Sequence, residues 1–355
     1  MQNKTYLQND RLLRVLRGLP VDKTPIWLMR QAGRYLPEYR AIRREVPDFL
    51  TLCKSPDLAC EVTMQPLRRF ALDAAIIFSD ILTIPDAFGL GLEFIEGEGP
   101  CFKTPVQSEE AIKALPILCP DTSLRYVMDA IRVTKQALHN TIPLIGFAGS
   151  PWTIAAYMVE GKASKTFSTF RAMMYRAPEL LHSLLSILTK NIIIYLQAQI
   201  DAGADSIMLF DTWGGLLGQE QYLKFSLQYM ETIVAALKKT HPSIPVILFS
   251  KNGGLYLENI AASGCAGIGL DWTANIAEAK ASIGSRVVLQ GNLDPAVLYA
   301  HPNVIEQEVK KILQQFGAGG GHIFNLGHGI YPDINPEHVH VLIESVNNFS
   351  PQYHS

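Results

Sequence analysis

The stretch between residues 30 and 44 contains five arginines and is the sequence feature with the clearest chemical meaning. Arg30 and Arg34 directly follow an apolar run, where surface charge that only improves solubility is unusual. A guanidinium group presents a planar fork that matches a carboxylate or a phosphate. These two residues therefore predict an anionic ligand, whereas the other three arginines also fit a solvated helix face of mixed charge.

Asp80 and His328 are the candidates for chemistry beyond anion binding. Asp80 stands between the apolar runs IIFS and IL, and a carboxylate in such a setting is costly unless it is paired. It either pairs with an arginine from the first strand or holds ligand N–H groups or a developing cation. His328 lies between two glycines, which favour close approach of a ligand, although a core or surface histidine is the alternative.

Tyr157 and Thr212 are weaker candidates, because each has an ordinary structural explanation. Tyr157 fits equally well as a packing residue whose hydroxyl bonds to a neighbour. Thr212 fits equally well as the cap of the next helix.

Composition and charge limit the function classes. Hydrophobic residues make up 48 % of the 355 residues and charged residues 18 %, which is typical of a chain that forms a buried core. The net charge is -2, so a general nucleic-acid binder is not expected. An anionic ligand would have to bind to a local basic cluster.

The cysteines and the start of the chain predict a cytoplasmic protein. Five cysteines, none in C-x-x-C spacing, disfavour a disulfide framework or a structural zinc site, so no metal is expected. Free thiols fit a reducing compartment. The N-terminus lacks the apolar stretch of a signal peptide. Residues 184–196 include Lys190 and are too short to cross a bilayer, so no membrane partner is expected.

Eight short apolar runs predict the strands of the fold, at residues 26–29, 74–79, 144–148, 206–210, 246–249, 267–270, 287–290 and 322–325. Most are apolar almost throughout, as are strands buried on both faces of a parallel sheet. Helical patterns alternate with them, at residues 56–70, 178–201, 219–239, 275–282, 304–316 and 336–347, with a further helix start at 121–123. This alternation predicts an α/β fold, a (β/α)8 TIM barrel that forms a single domain over residues 1–355.

Two segments depart from the repeat. A short helix is expected at residues 9–18, and a β-hairpin at residues 88–106, where alternation meets a Glu-Gly-Pro turn. The alternative fold is a doubly wound open sheet, although no G-x-G-x-x-G follows the first strand.

In a barrel of this kind the chemistry lies at the carboxyl ends of the strands. Arg30, Asp80, Thr212 and His328 each follow a predicted strand by one to a few residues. Lys251 also follows a strand in this way. The sequence therefore predicts one active-site cleft at the C-terminal ends of the strands.

Five longer motifs follow one another along the chain: MRQAGRYLPE at 29–38, IFSDIL at 77–82, GFAGSPWT at 146–153, YMVEG at 157–161 and FNLGHGI at 324–330. Together they resemble the motifs of the uroporphyrinogen decarboxylase family. The resemblance is collinear from about residue 6 to residue 349.

The resemblance implies a cytosolic (β/α)8 barrel, commonly a homodimer, that uses no metal or organic cofactor. It implies the conversion of uroporphyrinogen III to coproporphyrinogen III by removal of the four acetate carboxyl groups. Arg30 and Arg34 would bind substrate carboxylates, and Asp80 would lie under the centre of the macrocycle. Further substrate contacts are implied at Gln31, Ala32, Gly33, Phe49, Tyr157, Thr212 and His328. Thr212 stands where the family often has serine, and its hydroxyl is retained.

The reaction would need an electron sink, which a pyrrole protonated at its α-carbon can provide. Asp80 would accept pyrrole N–H bonds and offset the positive charge of the ring. Arg30 is the proton donor that the family suggests, although arginine is a poor acid. His328 or water is better matched near neutral pH. We expect Asp80 to be essential and His328 to be helpful but replaceable.

Two other functions remain alternatives. A non-catalytic tetrapyrrole-binding protein would keep the cleft, but loss of Asp80 or Arg30 would favour it and both are present. A methyltransferase on a related barrel would need zinc held by His-x-Cys and a distant cysteine. The sequence has no His-x-Cys, and Cys265 stands alone.

Overall fold

Seven of the eight predicted strands form one parallel sheet in the computed structural model, which describes residues 7–95 and 97–354. The strands are β1 (Ala75–Ile76), β2 (Leu92–Ile95), β3 (Gly99–Phe102), β4 (Leu144–Gly149), β5 (Ser206–Asp211), β6 (Val246–Ser250), β7 (Gly267–Gly269), β8 (Val288–Gln290) and β9 (His322–Ile323). The sheet has the order β1-β4-β5-β6-β7-β8-β9. Neighbours in the sheet follow one another in chain order, as in a (β/α)8 barrel, and the predicted fold class is confirmed.

The predicted strand over residues 26–29 occupies the remaining barrel position but is not a regular strand. Ile26 forms a single parallel bridge with Phe324, just beyond β9. On the other side, the Ile26 carbonyl accepts a hydrogen bond of 2.8 Å from the amide of Asp73, just before β1. The segment therefore joins the two edges of the sheet and closes the barrel.

The prediction of a full first strand is wrong because side chains take over its hydrogen bonds. The Leu28 amide donates to the carboxamide oxygen of Gln31 at 3.1 Å. The Met29 amide donates to the side-chain oxygen of Asn325 at 3.0 Å. These bonds satisfy the backbone without a ladder, and the chain turns directly afterwards.

Helices lie between the strands. They are α1 (Arg11–Leu16), α2 (Pro37–Glu45), α3 (Phe49–Lys54), α4 (Pro56–Arg69), α5 (Thr83–Ala87), α6 (Glu109–Lys113), α7 (Pro120–Ser123), α8 (Arg125–Ala137), α9 (Pro151–Glu160), α10 (Ser168–Arg176), α11 (Pro178–Asp201), α12 (Gln219–Tyr222), α13 (Gln228–Thr240), α14 (Leu257–Ala262), α15 (Ile276–Ile283), α16 (Pro302–Phe316) and α17 (Pro336–Phe349). One π-helical turn, Leu223–Leu227, lies within the predicted helix over 219–239 and separates α12 from α13.

The two predicted departures from the repeat have counterparts in the structure. The helix expected at residues 9–18 is α1, and Gly18 follows it with a φ of 68°. The hairpin is the antiparallel pair β2 and β3. Residue 96 of the segment predicted as a hairpin, and residues 1–6 and 355 of the predicted domain, lie outside the described residues.

The longest helix, α11, is long and apolar enough to cross a membrane by length and composition alone. It spans 24 residues, and half of its most apolar 18-residue window is buried inside the protein. Its buried face, which includes Leu184, Leu188 and Ile192, belongs to the hydrophobic core. We therefore interpret α11 as a core helix of the barrel, since a membrane span would present its apolar residues to lipid.

The core strands explain how the site is positioned. All six residues of β4 are buried, as are all five of β6. Strands buried on both faces leave polar side chains room only at the ends. The residues that follow β1, β5, β6 and β9 therefore meet at one end of the barrel.

Candidate functional site

Arg30 begins the first loop (residues 30–36), which leads from the closing segment to α2. Arg30 has a φ of 60°, an uncommon conformation for a residue with a side chain, and it is exposed. Its side chain lies over Gly329 in the loop after β9: a Cβ atom at position 329 would come within 2.6 Å of the Arg30 Cγ. Glycine at 329 therefore gives the guanidinium room beside His328.

The buried Gln31 fixes the first loop in place. Its side-chain amide donates a hydrogen bond to the carbonyl of Ala74 at 3.2 Å, next to β1. Its own carbonyl accepts from the hydroxyl of Tyr35 at 2.8 Å. Ala32 and Gly33 lie half-buried in the turn between these contacts. The side chain of Gln31 is thus occupied by the protein and positions the residues on either side of it.

The rest of the arginine cluster has no carboxylate partner among the described residues. Glu38, the one acid in the cluster, pairs with Arg69 at 2.6 Å. Arg40 donates to the backbone carbonyls of Arg34 and Tyr35 at 2.7 and 3.0 Å. Arg34 is exposed, and its guanidinium is available to a ligand.

Asp80 follows β1 and has a single hydrogen bond in the described chain. One carboxylate oxygen accepts from the Leu82 amide at 2.8 Å. Burial raises the pKa of Asp80, while this N–H and the charge of Arg30 act against the rise. The alternative of an ion pair with an arginine is wrong: Arg30 is near enough to act electrostatically, but among the described residues no arginine forms an ion pair or a hydrogen bond with Asp80. A carboxylate has about four acceptor positions, so most of those on Asp80 remain open.

Tyr157, on α9, lies close to both Asp80 and Arg30. Burial raises its pKa and the charge of Asp80 adds to the rise, while the Trp213 indole and Arg30 act against it. The Tyr157 ring packs edge-on against Phe167 and Trp213, with centroids 5.5 and 6.1 Å apart. The side chain therefore serves in packing and also reaches the charged centre of the cleft.

Phe49 belongs to an aromatic group beside Asp80. Its ring lies edge-on to Phe78, two residues before Asp80, with centroids 6.0 Å apart. It also lies edge-on to Phe94 of the hairpin at 4.6 Å. These contacts give the cleft an apolar wall and explain how the hairpin strand β2 is held against α3.

His328 is half-buried between aromatic rings. Its ring centroid lies 6.1 Å from Phe249 and 6.4 Å from Trp272. Burial, and then the charges of Arg30 and Lys251, lower its pKa to about 3. The ring is therefore neutral near pH 7, and the expected role as a proton donor would require a bound anion to raise its pKa.

Thr212 follows β5 and lines a cavity of about 490 Å³. The lining residues are Ala163, Ser164, Lys165, Thr212, Trp213, Gly215, Leu216, Lys251 and Asn252. Thr212 does not cap the next helical turn, Gly214–Leu216, which begins after Trp213 without a side-chain cap. Its hydroxyl is therefore free to face the cavity, as the substrate-contact interpretation requires.

Lys251 is a cavity residue to which the sequence analysis assigns no role. Its ammonium lies 6.0 Å from the ring centroids of both Trp213 and Trp272. It is also close enough to His328 to lower the pKa of that ring. The signal was present in the sequence, since Lys251 directly follows a buried strand just as Asp80 does.

Beneath the cavity, the fully buried Asp211 at the end of β5 accepts hydrogen bonds from four hydroxyl groups. The donors are Ser150 (2.6 Å), Thr153 (2.9 Å), Ser226 (2.8 Å) and Ser250 (3.2 Å). Burial raises the pKa of Asp211, and the four hydroxyls act against the rise. Asp211 thus ties together the ends of β4, β5 and β6 without facing the cleft.

A family model described as uroporphyrinogen decarboxylase (URO-D) matches residues 7–349 of the chain. The chain is similar to relatives named uroporphyrinogen decarboxylase from Tolumonas auensis, at 59 % identity, and Mannheimia succiniciproducens, at 56 % identity, each over 352 residues. Each alignment covers 99 % of this chain and 99 % of the relative.

Solved structures with lower identity share the fold. A methyltransferase from Methanosarcina mazei matches with a TM-score of 0.81 at 21 % identity, covering 97 % of this chain and 99 % of that one. A B12-independent methionine synthase from Shewanella sp. matches with a TM-score of 0.54 at 10 % identity, covering 82 % and 85 %. At such identities the likeness concerns the barrel alone. Cys265 is buried, and burial raises the pKa of its thiol to about 11, which does not suit a zinc ligand.

Proposed function

We propose a mechanism for the cleft from the premise that the chain belongs to the uroporphyrinogen decarboxylase family. The chain is a carboxy-lyase of porphyrin biosynthesis. It removes the carboxyl groups of the four acetate side chains of uroporphyrinogen III and releases coproporphyrinogen III and four molecules of CO2. The collinear match over residues 7–349 is the observation that supports this function.

The cations of the cleft bind the carboxylate arms of the substrate. Uroporphyrinogen carries eight carboxylates, and Arg30 and Arg34 have no carboxylate partner among the described residues. Each charge-assisted contact contributes roughly 1.5–3 kcal/mol. Gln31, Ala32 and Gly33 support these arginines through the backbone of the first loop, and Phe49, Tyr157 and Thr212 line the remaining surface.

Asp80 stabilises the charge that develops during the reaction. A proton added to the pyrrole α-carbon makes the ring cationic, and the electron pair of the breaking C–CO2 bond flows into that ring. Loss of the ring proton and protonation of the new CH2 carbon leave a methyl group, so each CO2 released consumes one proton overall. The open acceptor positions of Asp80 would take pyrrole N–H bonds and offset the cationic charge.

The source of the proton follows from the electrostatics of the cleft. A guanidinium is a poor acid, which disfavours Arg30 as the proton donor. His328 is neutral without substrate, because burial and two nearby cations lower its pKa to about 3. A carboxylate arm bound beside His328 would offset those cations and raise that pKa. His328 then assists transfer, with water as the ultimate source, and its loss would be tolerated.

The reaction runs on the protein's own groups, with neither a metal nor an organic cofactor. Anaerobic incubation of the chelator-treated protein with enzymatically generated uroporphyrinogen III tests this. Chromatography of the oxidised products should show coproporphyrin together with seven-, six- and five-carboxyl intermediates. Unchanged uroporphyrin from a folded sample that binds it would support the non-catalytic carrier instead.

The working form is a cytoplasmic homodimer without nucleic-acid or membrane partners. The family resemblance supports the dimer, and the near-neutral net charge of -2 supports the lack of polyanionic partners. Light scattering at micromolar concentration should give twice the chain mass of 39.3 kDa. A value equal to the chain mass would contradict the dimer.

A further inference from the structure

Lys251 is a half-buried cation without a carboxylate partner among residues 7–95 and 97–354. Elsewhere in the described chain, Lys54, Lys103 and Lys135 pair with acidic side chains at 2.5–2.8 Å. Lys251 has only the two indole faces, each 6.0 Å from its ammonium. A contact of this kind contributes roughly 0.5–1 kcal/mol and does not neutralise the charge. All three N–H donors of the ammonium therefore remain available to an anion.

The backbone of Lys251 is held on both sides, so its side chain has a defined origin. The Lys251 amide donates to the Asp211 carbonyl at 3.1 Å. The preceding Ser250 donates its hydroxyl to the Asp211 carboxylate. The following Asn252 has a φ of 56°, and its amide donates to the carboxylate of Asp271. These bonds fix the point from which the Lys251 side chain enters the cavity.

The surroundings of Lys251 suit a carboxylate arm. The cavity of about 490 Å³ brings Lys251 together with Lys165 and the hydroxyl-bearing Ser164 and Thr212. No acidic residue is among the lining residues. Lys251 and Arg30 both lie close enough to His328 for their charges to lower its pKa.

We propose that Lys251 binds a propionate carboxylate of the substrate in this cavity, as a second anchor apart from Arg30 and Arg34. The proposal rests on the proposed function. The acetate arms disappear one after another during the four decarboxylations, whereas the four propionates persist. An anchor that serves every round must therefore bind a propionate.

The test compares Lys251→Met with Lys251→Arg, and with Lys224→Met as the matched control. Lys224 also lies over an aromatic ring, at 5.5 Å from Phe225, but it is exposed on the π-helical turn outside the cavity. The measurements are anaerobic kcat and KM with uroporphyrinogen III and the Kd of coproporphyrinogen III, which has no acetate arms. Melting temperatures check the fold, and Lys251→Gln replaces the methionine variant should that variant not fold.

Loss of one charge-assisted contact should raise KM and the Kd of coproporphyrinogen about tenfold in Lys251→Met, with kcat changed less than threefold. Lys251→Arg should retain most of the affinity, and Lys224→Met should match the wild type. An unchanged Kd for coproporphyrinogen would overturn the proposal, as would an arginine variant no better than the methionine variant. A wild type that binds both porphyrinogens without turnover would contradict the proposed function alone, because the Kd comparison would still test Lys251.

Discussion

Asp80 and Asp211 are two carboxylates at strand ends of the same barrel, and burial raises the pKa of both. They differ in how many hydrogen bonds the protein donates to each carboxylate. Asp211 has no exposed surface and accepts four hydroxyl hydrogen bonds. Asp80 is half-buried and accepts one hydrogen bond, from the Leu82 amide.

We infer from this difference that Asp211 is a structural carboxylate and propose that Asp80 is kept for a ligand. Leaving a buried acceptor unfilled costs free energy, so an open one calls for an explanation. The cations follow the same division: Arg69 pairs with Glu38, whereas Arg34 and Lys251 at the cleft have no carboxylate among the described residues. We therefore propose that a strand-end position combined with unfilled hydrogen-bonding capacity marks a functional residue, whereas a strand-end position alone does not.

Asp80→Asn is expected to have the largest effect on activity. It should lower kcat/KM by about 10²–10³, as removal of a preorganised electrostatic stabiliser typically does. The urea unfolding midpoint should stay near the wild-type value, because a neutral amide avoids the cost of burying a charge. Anaerobic kinetics and urea titration of the same preparations measure both. Near-normal turnover in a folded variant would contradict the role of Asp80.

Asp211→Asn should show the opposite pattern. The amide offers one acceptor oxygen and adds two donors, so at least two of the four hydroxyls lose their partner. The free energy of unfolding should fall by about 2–4 kcal/mol, measured by urea denaturation. A variant as stable as the wild type would show that the four hydroxyl hydrogen bonds to Asp211 do not hold the strand ends together.

Gly329→Ala tests whether the position of the Arg30 side chain in the cleft matters for substrate binding. The new Cβ would press on the Arg30 side chain, which must move away from His328 and Asp80. KM should rise three- to tenfold, equivalent to the loss of about 1 kcal/mol of binding, with little change in melting temperature. Gly320→Ala is the matched control, since nothing lies within 4 Å of a Cβ there. Equal KM values for the two variants would place Arg30 outside the binding site.

The smallest effect concerns the pH dependence of stability. The folded pKa of His328, about 3, lies below its ordinary value of 6.5. Between these values the unfolded chain binds a proton that the folded chain does not. The stability from the neutral ring is therefore complete above pH 6.5 and is lost as the pH falls toward 3.

His328→Gln should remove this loss. At pH 5.5 the contribution amounts to about 1 kcal/mol, so the variant should lose less stability than the wild type between pH 7.5 and pH 5.5. Urea midpoints at the two pH values measure the difference. His322, whose pKa burial lowers to about 4, stays in both proteins and contributes equally. Identical slopes would mean that His328 titrates normally.

The sequence predicted the parts of the fold that depend on local pattern. The strands at 144–148 and 206–210 each end within one residue of the observed β4 and β5, because both are buried runs of apolar residues. The prediction of a full strand over residues 26–29 was wrong, because two of its amides donate to the side chains of Gln31 and Asn325. These two residues are distant from each other in sequence. No pattern over residues 26–29 contains that information.

The position of the candidate site could be predicted from the sequence, but the hydrogen-bond and ion-pair partners of its residues could not. Asp80 and His328 could be found because charged or glycine-flanked residues after buried strands are unusual. The four hydroxyl groups that donate to Asp211 could not be predicted, since they come from three separate segments of the chain. Lys251 was not predicted as a site residue for the same reason. Only the tertiary structure shows that it has no carboxylate partner among the described residues.

A crystal structure of the protein with coproporphyrinogen III, prepared anaerobically, tests the central claim most directly. We expect pyrrole nitrogens within about 3.2 Å of the open carboxylate oxygens of Asp80, while Asp211 keeps its four hydroxyl partners. A macrocycle bound in the cleft with its nitrogens turned away from Asp80 would show that Asp80 does not hold the substrate.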